Sequence, residues 1–125
     1  MTGRLTTHVL DTMRGCPAAG MDIQLWRLSP LSLHADGREP VLLKTVRTLD
    51  NGRTEAPLLE GEALTIGMYE LLFAVGAYFA AKGEMTATPP FLDTVPVRFG
   101  IADSEAHYHV PLLVSPWAYS TYRGS

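Results

Sequence analysis

The chain has 125 residues, a hydrophobic content of 46% and a charged content of 18%, which describe one ordinary globular domain over residues 1–125 rather than a disordered chain. Its net charge is −3 and Lys and Arg form no run, which argues against a nucleic-acid partner. The single cysteine, Cys16, excludes an intramolecular disulfide and fits a reducing compartment.

The first half of the chain has the alternating pattern of short strands separated by turn residues. Alternation in the first strand places Leu5 on one face and His8 on the other. Residues 1–10 lack the continuous apolar run of a signal peptide. A loop that contains His34 separates the second strand from the third. The three predicted strands cover residues 5–12, 22–28 and 41–47.

A turn follows the third strand at Asp50-Asn51-Gly52-Arg53. Asn-Gly is the strongest short-range signal for a tight hairpin turn. Arg53, at the end of this turn, offers a fixed guanidinium fork for a planar anionic or carbonyl-rich ligand.

Residues 66–75 fit a strand or a helix by periodicity alone. Gly67 and Gly76 bracket them at strand length, so we predict a strand, followed by a short helix over residues 77–82. The surrounding apolar window carries Glu70 and is a poor membrane span. We therefore expect a soluble, cytoplasmic protein with no membrane partner.

The last third of the chain begins after the Pro89-Pro90 break and reads as three strands. Ser115-Pro116 predicts a hairpin between the last two of them. The total of about eight short strands and one small helix predicts an all-β sandwich or barrel. The three predicted strands cover residues 94–101, 106–114 and 117–123.

His107 and His109 are the first candidates for chemistry, because residues two apart on a strand project from one face. Two imidazoles on one face could hold zinc, with His8 as a third ligand, although no carboxylate or cysteine completes the shell. They could equally be half-exposed surface side chains. Pro111 shares their face and marks an edge strand or a bulge, so this face lines a cavity or meets another subunit.

A metal-free reading uses the same side chains as bases. The predicted hairpin would bring Tyr122 to the face of His109. Histidine accepts a proton near neutral pH, and Arg53 could stabilise the negative charge that develops when water attacks an amide or lactam. No nucleophile elbow is present and nothing activates Cys16, so a covalent intermediate is the weaker alternative.

Several stretches together resemble one family, the 5-hydroxyisourate hydrolases, which are the purine-catabolic branch of the transthyretin-related proteins. The resemblance covers essentially the whole chain. The terminal Tyr-Arg-Gly-Ser is specific, because the hormone-carrier branch lacks it. The matching stretches are residues 5–12, 15–18, 52–53, 67–79, 107–113 and 115–125.

The resemblance implies a transthyretin-like two-sheet β-sandwich that assembles as a homotetramer, with active sites at the dimer–dimer interface. The implied reaction is ring opening of 5-hydroxyisourate to 2-oxo-4-hydroxy-4-carboxy-5-ureidoimidazoline in urate degradation, without metal or cofactor. The family's catalytic residues fall on His8, Arg53 and His109. Its substrate-binding C-terminal motif falls on Tyr122, Arg123, Gly124 and Ser125.

One residue departs from the family pattern: Asn51 stands where the family usually has aspartate before Gly52-Arg53. Both residue types support a tight turn. His107 is expected to support the site rather than to act directly. Rival interpretations are a transthyretin-type ligand carrier without turnover, a zinc hydrolase, and a partner-binding β-domain.

Overall fold

The computed structural model describes residues 3–29, 39–84 and 87–124, so His34 and Ser125 lie outside the described residues. Within them the chain forms eleven short strands, one α-helix, α1 (Val75–Ala81), and a 3₁₀ turn (Gly61–Ala63). The strands are β1 (Arg4–Thr6), β2 (Val9–Asp11), β3 (Cys16–Pro17), β4 (Asp22–Ser29), β5 (Val41–Arg47), β6 (Leu59–Glu60), β7 (Gly67–Ala74), β8 (Thr94–Ile101), β9 (His107–His109), β10 (Leu112–Val114) and β11 (Tyr119–Thr121).

The strands form two layers. One layer is an antiparallel sheet in the order β5-β4-β7-β8. The other combines the sheets β6-β1-β9 and β11-β10-β2-β3, which continue into one another. Across the junction Val110 N–H donates to Thr6 O and Leu112 N–H donates to His8 O, both at 2.9 Å. The register of parallel pairing is therefore the same on both sides of the junction, and the predicted sandwich is confirmed.

Two strands expected to be continuous are each interrupted at this junction. Pro111 has no N–H to donate to the ladder, and opposite the break the buried Thr7 Oγ1 donates instead to Val110 O at 2.7 Å. Of the two alternatives predicted for Pro111, the edge strand was wrong, because β10 lies between β2 and β11, whereas an irregularity in the ladder is present at this residue. A proline is accommodated here because the ladder is already broken.

Other boundaries differ less from prediction. The strands predicted over residues 41–47, 66–75 and 94–101 are confirmed as β5, β7 and β8. The helix α1 begins two residues earlier than predicted. β3 and β6 were not predicted, because each is only two residues long and too short to show periodicity. No helix among the described residues is long and apolar enough to cross a membrane.

The core lies between the two layers and takes alternate residues from each strand. On β7, for example, Tyr69, Leu71 and Phe73 are fully buried. Burying one such side chain is worth about 1.5–3 kcal/mol. On β1 and β9 the inward residues are Leu5 and Tyr108, so their neighbours in sequence face outward. This alternation sets the position of the candidate site.

A buried hydrogen bond joins α1 to the layer that contains β2. Tyr78 of α1 donates its hydroxyl to Asp11 Oδ2 of β2 at 2.8 Å, and Asp11 is 1% exposed. Burial, and then the hydrogen bond and charge of Asp11, raise the pKa of the Tyr78 phenol well above its usual value. The backbone N–H of Arg14 supplies a second hydrogen bond to this carboxylate, at 2.9 Å.

Candidate active site

The candidate residues lie on the outer face of the layer that contains β1 and β9. In the parallel pairing of these strands, Thr6 lies opposite His109 and Arg4 lies opposite His107. The buried Leu5 and Tyr108 point into the sandwich, so Thr6, His107 and His109 share the outward face. The predicted pairing of the two histidines on one face is confirmed.

His109 is held by contacts on two sides. Its Nδ1 lies 2.8 Å from Thr6 Oγ1, and its backbone carbonyl accepts the Gly124 N–H at 2.7 Å. Burial, followed by the positive field of Arg53 and the nearby His107 and His8, lowers the pKa of the His109 imidazole below 6.5. His109 is therefore mainly neutral near pH 7 and able to accept a proton.

His107 contacts the same hydroxyl as His109. Its Nε2 lies 2.8 Å from Thr6 Oγ1, and the centroids of the two imidazole rings are 6.2 Å apart. Burial and the charge of Arg4 lower the pKa of His107 as well. The two histidines thus share a neutral hydroxyl partner.

His8 and Arg53 lie next to each other through an antiparallel backbone bridge. The His8 Nε2–H donates to Asn51 O at 2.8 Å, because a carbonyl can only accept. A neutral His8 therefore keeps its lone pair on Nδ1. The Arg53 side chain lies beside a cavity of about 180 Å³, which Arg4 also lines.

The turn that presents Arg53 tolerates Asn51 well. The Asn51 Oδ1 accepts the Arg53 N–H at 2.9 Å, a bond that an aspartate oxygen would also accept. Gly52 has φ +80°, and an added Cβ would lie 2.5 Å from Val9 O, so only glycine fits. The expected tight turn is confirmed, although Arg53 pairs with His8 instead of closing a hairpin onto β5.

The C-terminal segment is only partly brought to the histidines. The predicted hairpin is confirmed by the pairing of β10 with β11, and beyond it Gly124 bridges to His109. Tyr122 is 59% exposed, and with Arg123 it lines a separate cavity of about 220 Å³. The Arg123 guanidinium lies over the Tyr108 ring, with Cζ 4.1 Å from the centroid, and so packs on the neighbour of His109.

Metal ligands were the other reading of the histidines. Among residues 3–29, 39–84 and 87–124, no three His, Cys, Asp or Glu side chains are grouped so that they could hold a metal ion. His107 Nε2 and His109 Nδ1 both lie at hydrogen-bond distance from Thr6 Oγ1.

Thr6 is the site residue that the sequence analysis did not single out. It is separated from its two histidine partners by more than 100 residues, and only the parallel pairing of β1 with β9 brings them together. A threonine on a strand is ordinary, so no local signal could have marked it.

Comparison with known proteins identifies the family. The sequence profile of the HIUase/Transthyretin family matches residues 5–124. The chain belongs to this family. Its two-layered fold is accordingly the transthyretin-like β-sandwich.

Relatives and solved structures of this HIUase/transthyretin family are similar over the whole chain. The 5-hydroxyisourate hydrolase of Ralstonia nicotianae is 59% identical, covering 98% of this chain and 99% of its own length. The structure of Klebsiella pneumoniae 5-hydroxyisourate hydrolase has a TM-score of 0.74 at 32% identity and covers 98% of this chain and 94% of that one. The crystal structure of (S)-allantoin synthase has a TM-score of 0.89 at 52% identity and covers 99% of this chain, which spans 44% of that longer chain.

Proposed function

We propose that this protein is a 5-hydroxyisourate hydrolase, which opens the lactam ring of 5-hydroxyisourate to give 2-oxo-4-hydroxy-4-carboxy-5-ureidoimidazoline in urate degradation. The observation that carries this proposal is the grouping of His8, Arg53 and His109 on one outward face. Full-length relatives of that name, at 59% and 52% identity, support it. The proposal treats residues 1–125 as a single domain.

The proposed mechanism needs no metal or cofactor. A neutral imidazole, that of His109 or His8, takes a proton from water as the water oxygen attacks the lactam carbonyl. Arg53 stabilises the oxyanion that forms. The C–N bond then breaks, and the imidazolium returns the proton to the leaving nitrogen. Either imidazole has a nitrogen for this role, since His8 keeps Nδ1 free while its Nε2–H donates to Asn51.

The C-terminal residues bind substrate in this proposal. Gly124 keeps the segment close to His109, and Tyr122 supplies an exposed phenol at the separate cavity that it lines with Arg123. Ser125 adds a hydroxyl at the end of the segment. Arg123 contributes by holding the segment against Tyr108, a role supported by its 4.1 Å stacking distance.

We further propose a cytoplasmic homotetramer with its sites at the dimer–dimer interface. Support comes from the exposure of Arg53 and Tyr122 in the single chain. A second subunit over this face would exclude bulk water and strengthen the electrostatic interactions with the substrate. Light scattering should give four copies, and full specific activity in a demonstrated monomer would contradict this assembly.

The test of function uses 5-hydroxyisourate generated in situ by urate oxidase, with its ultraviolet decay followed in the presence and absence of the protein. We expect acceleration that survives EDTA. His109→Ala and a chain truncated after Thr121 should each lose about 10²–10³-fold in rate while remaining folded by circular dichroism. EDTA-sensitive turnover would indicate zinc, and a folded tetramer without turnover would indicate a ligand carrier.

A further inference from the structure

One threonine hydroxyl lies between two imidazole rings. Thr6 Oγ1 is 2.8 Å from His107 Nε2 and 2.8 Å from His109 Nδ1. The backbone enforces the arrangement, because parallel pairing places Thr6 opposite His109, while His107 lies one pleat earlier on the same face. The three side chains therefore form a continuous chain of hydrogen bonds that ends at a proposed catalytic imidazole.

The number of protons shared by these three hydrogen-bonded side chains limits how they can transfer a proton. A threonine hydroxyl has one proton to donate and two lone pairs to accept, and a neutral imidazole has one N–H and one lone pair. When Thr6 donates to His107 Nε2, its oxygen accepts from His109 Nδ1–H, and the free lone pair of His109 is then on Nε2. When Thr6 donates to His109, the order reverses and His109 carries its proton on Nε2.

We propose that Thr6 and His107 form a proton relay behind His109, in which the hydroxyl sets the tautomer of His109 and passes a proton between the two imidazoles. This inference rests on the proposed hydrolase function and deepens it. Thr6 and His107 are positioning residues, because they act through His109 and not on the substrate.

The relay step conserves every proton. His109 Nε2 takes a proton from the attacking water, which makes the ring an imidazolium. The Nδ1–H bond of His109 then breaks as its proton moves to Thr6 Oγ1, while the original hydroxyl proton moves to His107 Nε2. The positive charge now lies on His107, and His109 is neutral with its proton on Nε2. As the leaving nitrogen takes this proton, the two transfers reverse: His107 Nε2 returns a proton to Thr6 Oγ1 and the hydroxyl proton returns to His109 Nδ1, so both imidazoles end neutral.

The surrounding groups disfavour a positive charge on each ring, so sharing one proton between the two rings lowers the charge that either must hold. Burial, Arg53, His107 and His8 all disfavour a cation on His109. Burial and Arg4 lower the pKa of His107 in the same way. Two acidic residues lie by the neighbouring arginines: Glu60 is opposite Arg4 on β6, and Glu55 lines the cavity shared by Arg4 and Arg53.

Three substitutions distinguish a proton relay from a purely structural role in which Thr6 and His107 only hold the His109 ring in place. Thr6→Ser keeps the hydroxyl, whereas Thr6→Val keeps the shape and removes it. His107→Gln retains an amide that can hydrogen-bond to Thr6 but cannot take up a proton. A purely structural role predicts that His107→Gln and Thr6→Ser behave alike.

The kinetic test measures kcat, KM and the pH profile of each variant as a folded assembly. We expect Thr6→Ser to retain most activity. Thr6→Val and His107→Gln should each lose at least about tenfold in kcat with little change in KM, and the acidic limb of the profile should move. The variant that combines Thr6→Val with His107→Gln should be no slower than the slower of the two single variants, because the two residues act as one unit.

Full kcat and an unchanged pH profile in His107→Gln would overturn the relay. The proposed function would stand in that case, because it depends on the wild-type protein and on His109→Ala. A readout that needs no turnover is NMR of the His109 ring nitrogens. The tautomer ratio or the pKa of His109 should change in His107→Gln, and unchanged values would also overturn the proposal.

Discussion

The backbone of Gly124 packs directly on the imidazole of His109. Its N–H donates to the His109 carbonyl at 2.7 Å, and an added Cβ would lie 2.9 Å from His109 Cδ2 and 3.2 Å from its Cβ. The imidazole of His109 is also hydrogen-bonded to Thr6. The ring therefore cannot move away from an added Cβ without losing its hydrogen bond to Thr6. The glycine thereby lets the C-terminal segment reach the site.

Gly124→Ala should therefore displace His109 or the C-terminal segment. We expect a fall in kcat of about tenfold or more, since displacing a reacting group by about 1 Å can cost 10²-fold. The melting temperature should change little, because the clash is confined to the bridge between Gly124 and His109. Gly100→Ala is the matched control, because its added Cβ meets only the flexible Met68 Sδ, at 3.3 Å. Equal kinetics in the two variants would contradict the packing argument.

Stability should depend on pH through the two lowered histidine pKa values. Because His107 and His109 have folded pKa values below 6.5, the unfolded chain binds protons on them more readily than the folded chain does. Their contribution to stability is present above about pH 6.5 and is lost as the pH falls through the folded values. Urea unfolding from pH 7.5 to pH 5 should show this loss.

The control for this pH dependence is a variant with both His107→Gln and His109→Gln. Carboxylates titrate in both proteins, so the difference between the two curves isolates the histidines. The variant should lose less stability than the wild type as the pH falls through this window. Parallel curves would show that the two rings titrate alike in the folded and unfolded chains.

Arg53 should affect both the rate and the titration of His109. After burial, its charge is the largest influence that lowers the His109 pKa. Arg53→Gln should raise that pKa toward its ordinary value in an NMR titration. The same variant should lose about 10²–10³-fold in rate if the guanidinium stabilises the oxyanion. Arg98→Gln, which removes a partner of Glu70 on another strand, should change neither quantity.

The hydrogen bond between Asp11 and Tyr78 should be important for stability. Tyr78→Phe removes the donor to a buried carboxylate, a loss we expect to cost about 1.5–3 kcal/mol in the free energy of unfolding. Tyr119→Phe removes a phenol from a residue that is 45% exposed and should change stability by less than about 0.5 kcal/mol. Urea denaturation of both variants tests the difference, and equal midpoints would contradict it.

Strand faces and turns were predicted correctly because they depend on residues close together in the sequence. The alternation of residues along a strand predicted that His107 and His109 share one face and that His8 lies on the face opposite Leu5. Turn residues predicted the final hairpin and the presentation of Arg53.

Features that depend on long-range pairing were not accessible from the sequence. The role of Thr6 depends on which strand lies beside β1 and in which register. The interruption opposite Pro111 depends on a hydrogen bond from Thr7 to Val110, 103 residues away. Arg123 was expected at the substrate, and only the structure reveals its stacking on Tyr108. Periodicity contains no information about any of these contacts.

The alternation of inward and outward residues along β1 and β9 limits which mutations this protein can accept during evolution. Leu5 and Tyr108 fill the core, and the residues beside them carry the chemistry. A one-residue insertion or deletion in either strand would turn every following side chain to the opposite face. Such an event would place histidines in the interior and apolar groups outside, so stability and turnover would be lost together. Substitutions can explore one property at a time, but length changes are confined to the loops between the strands.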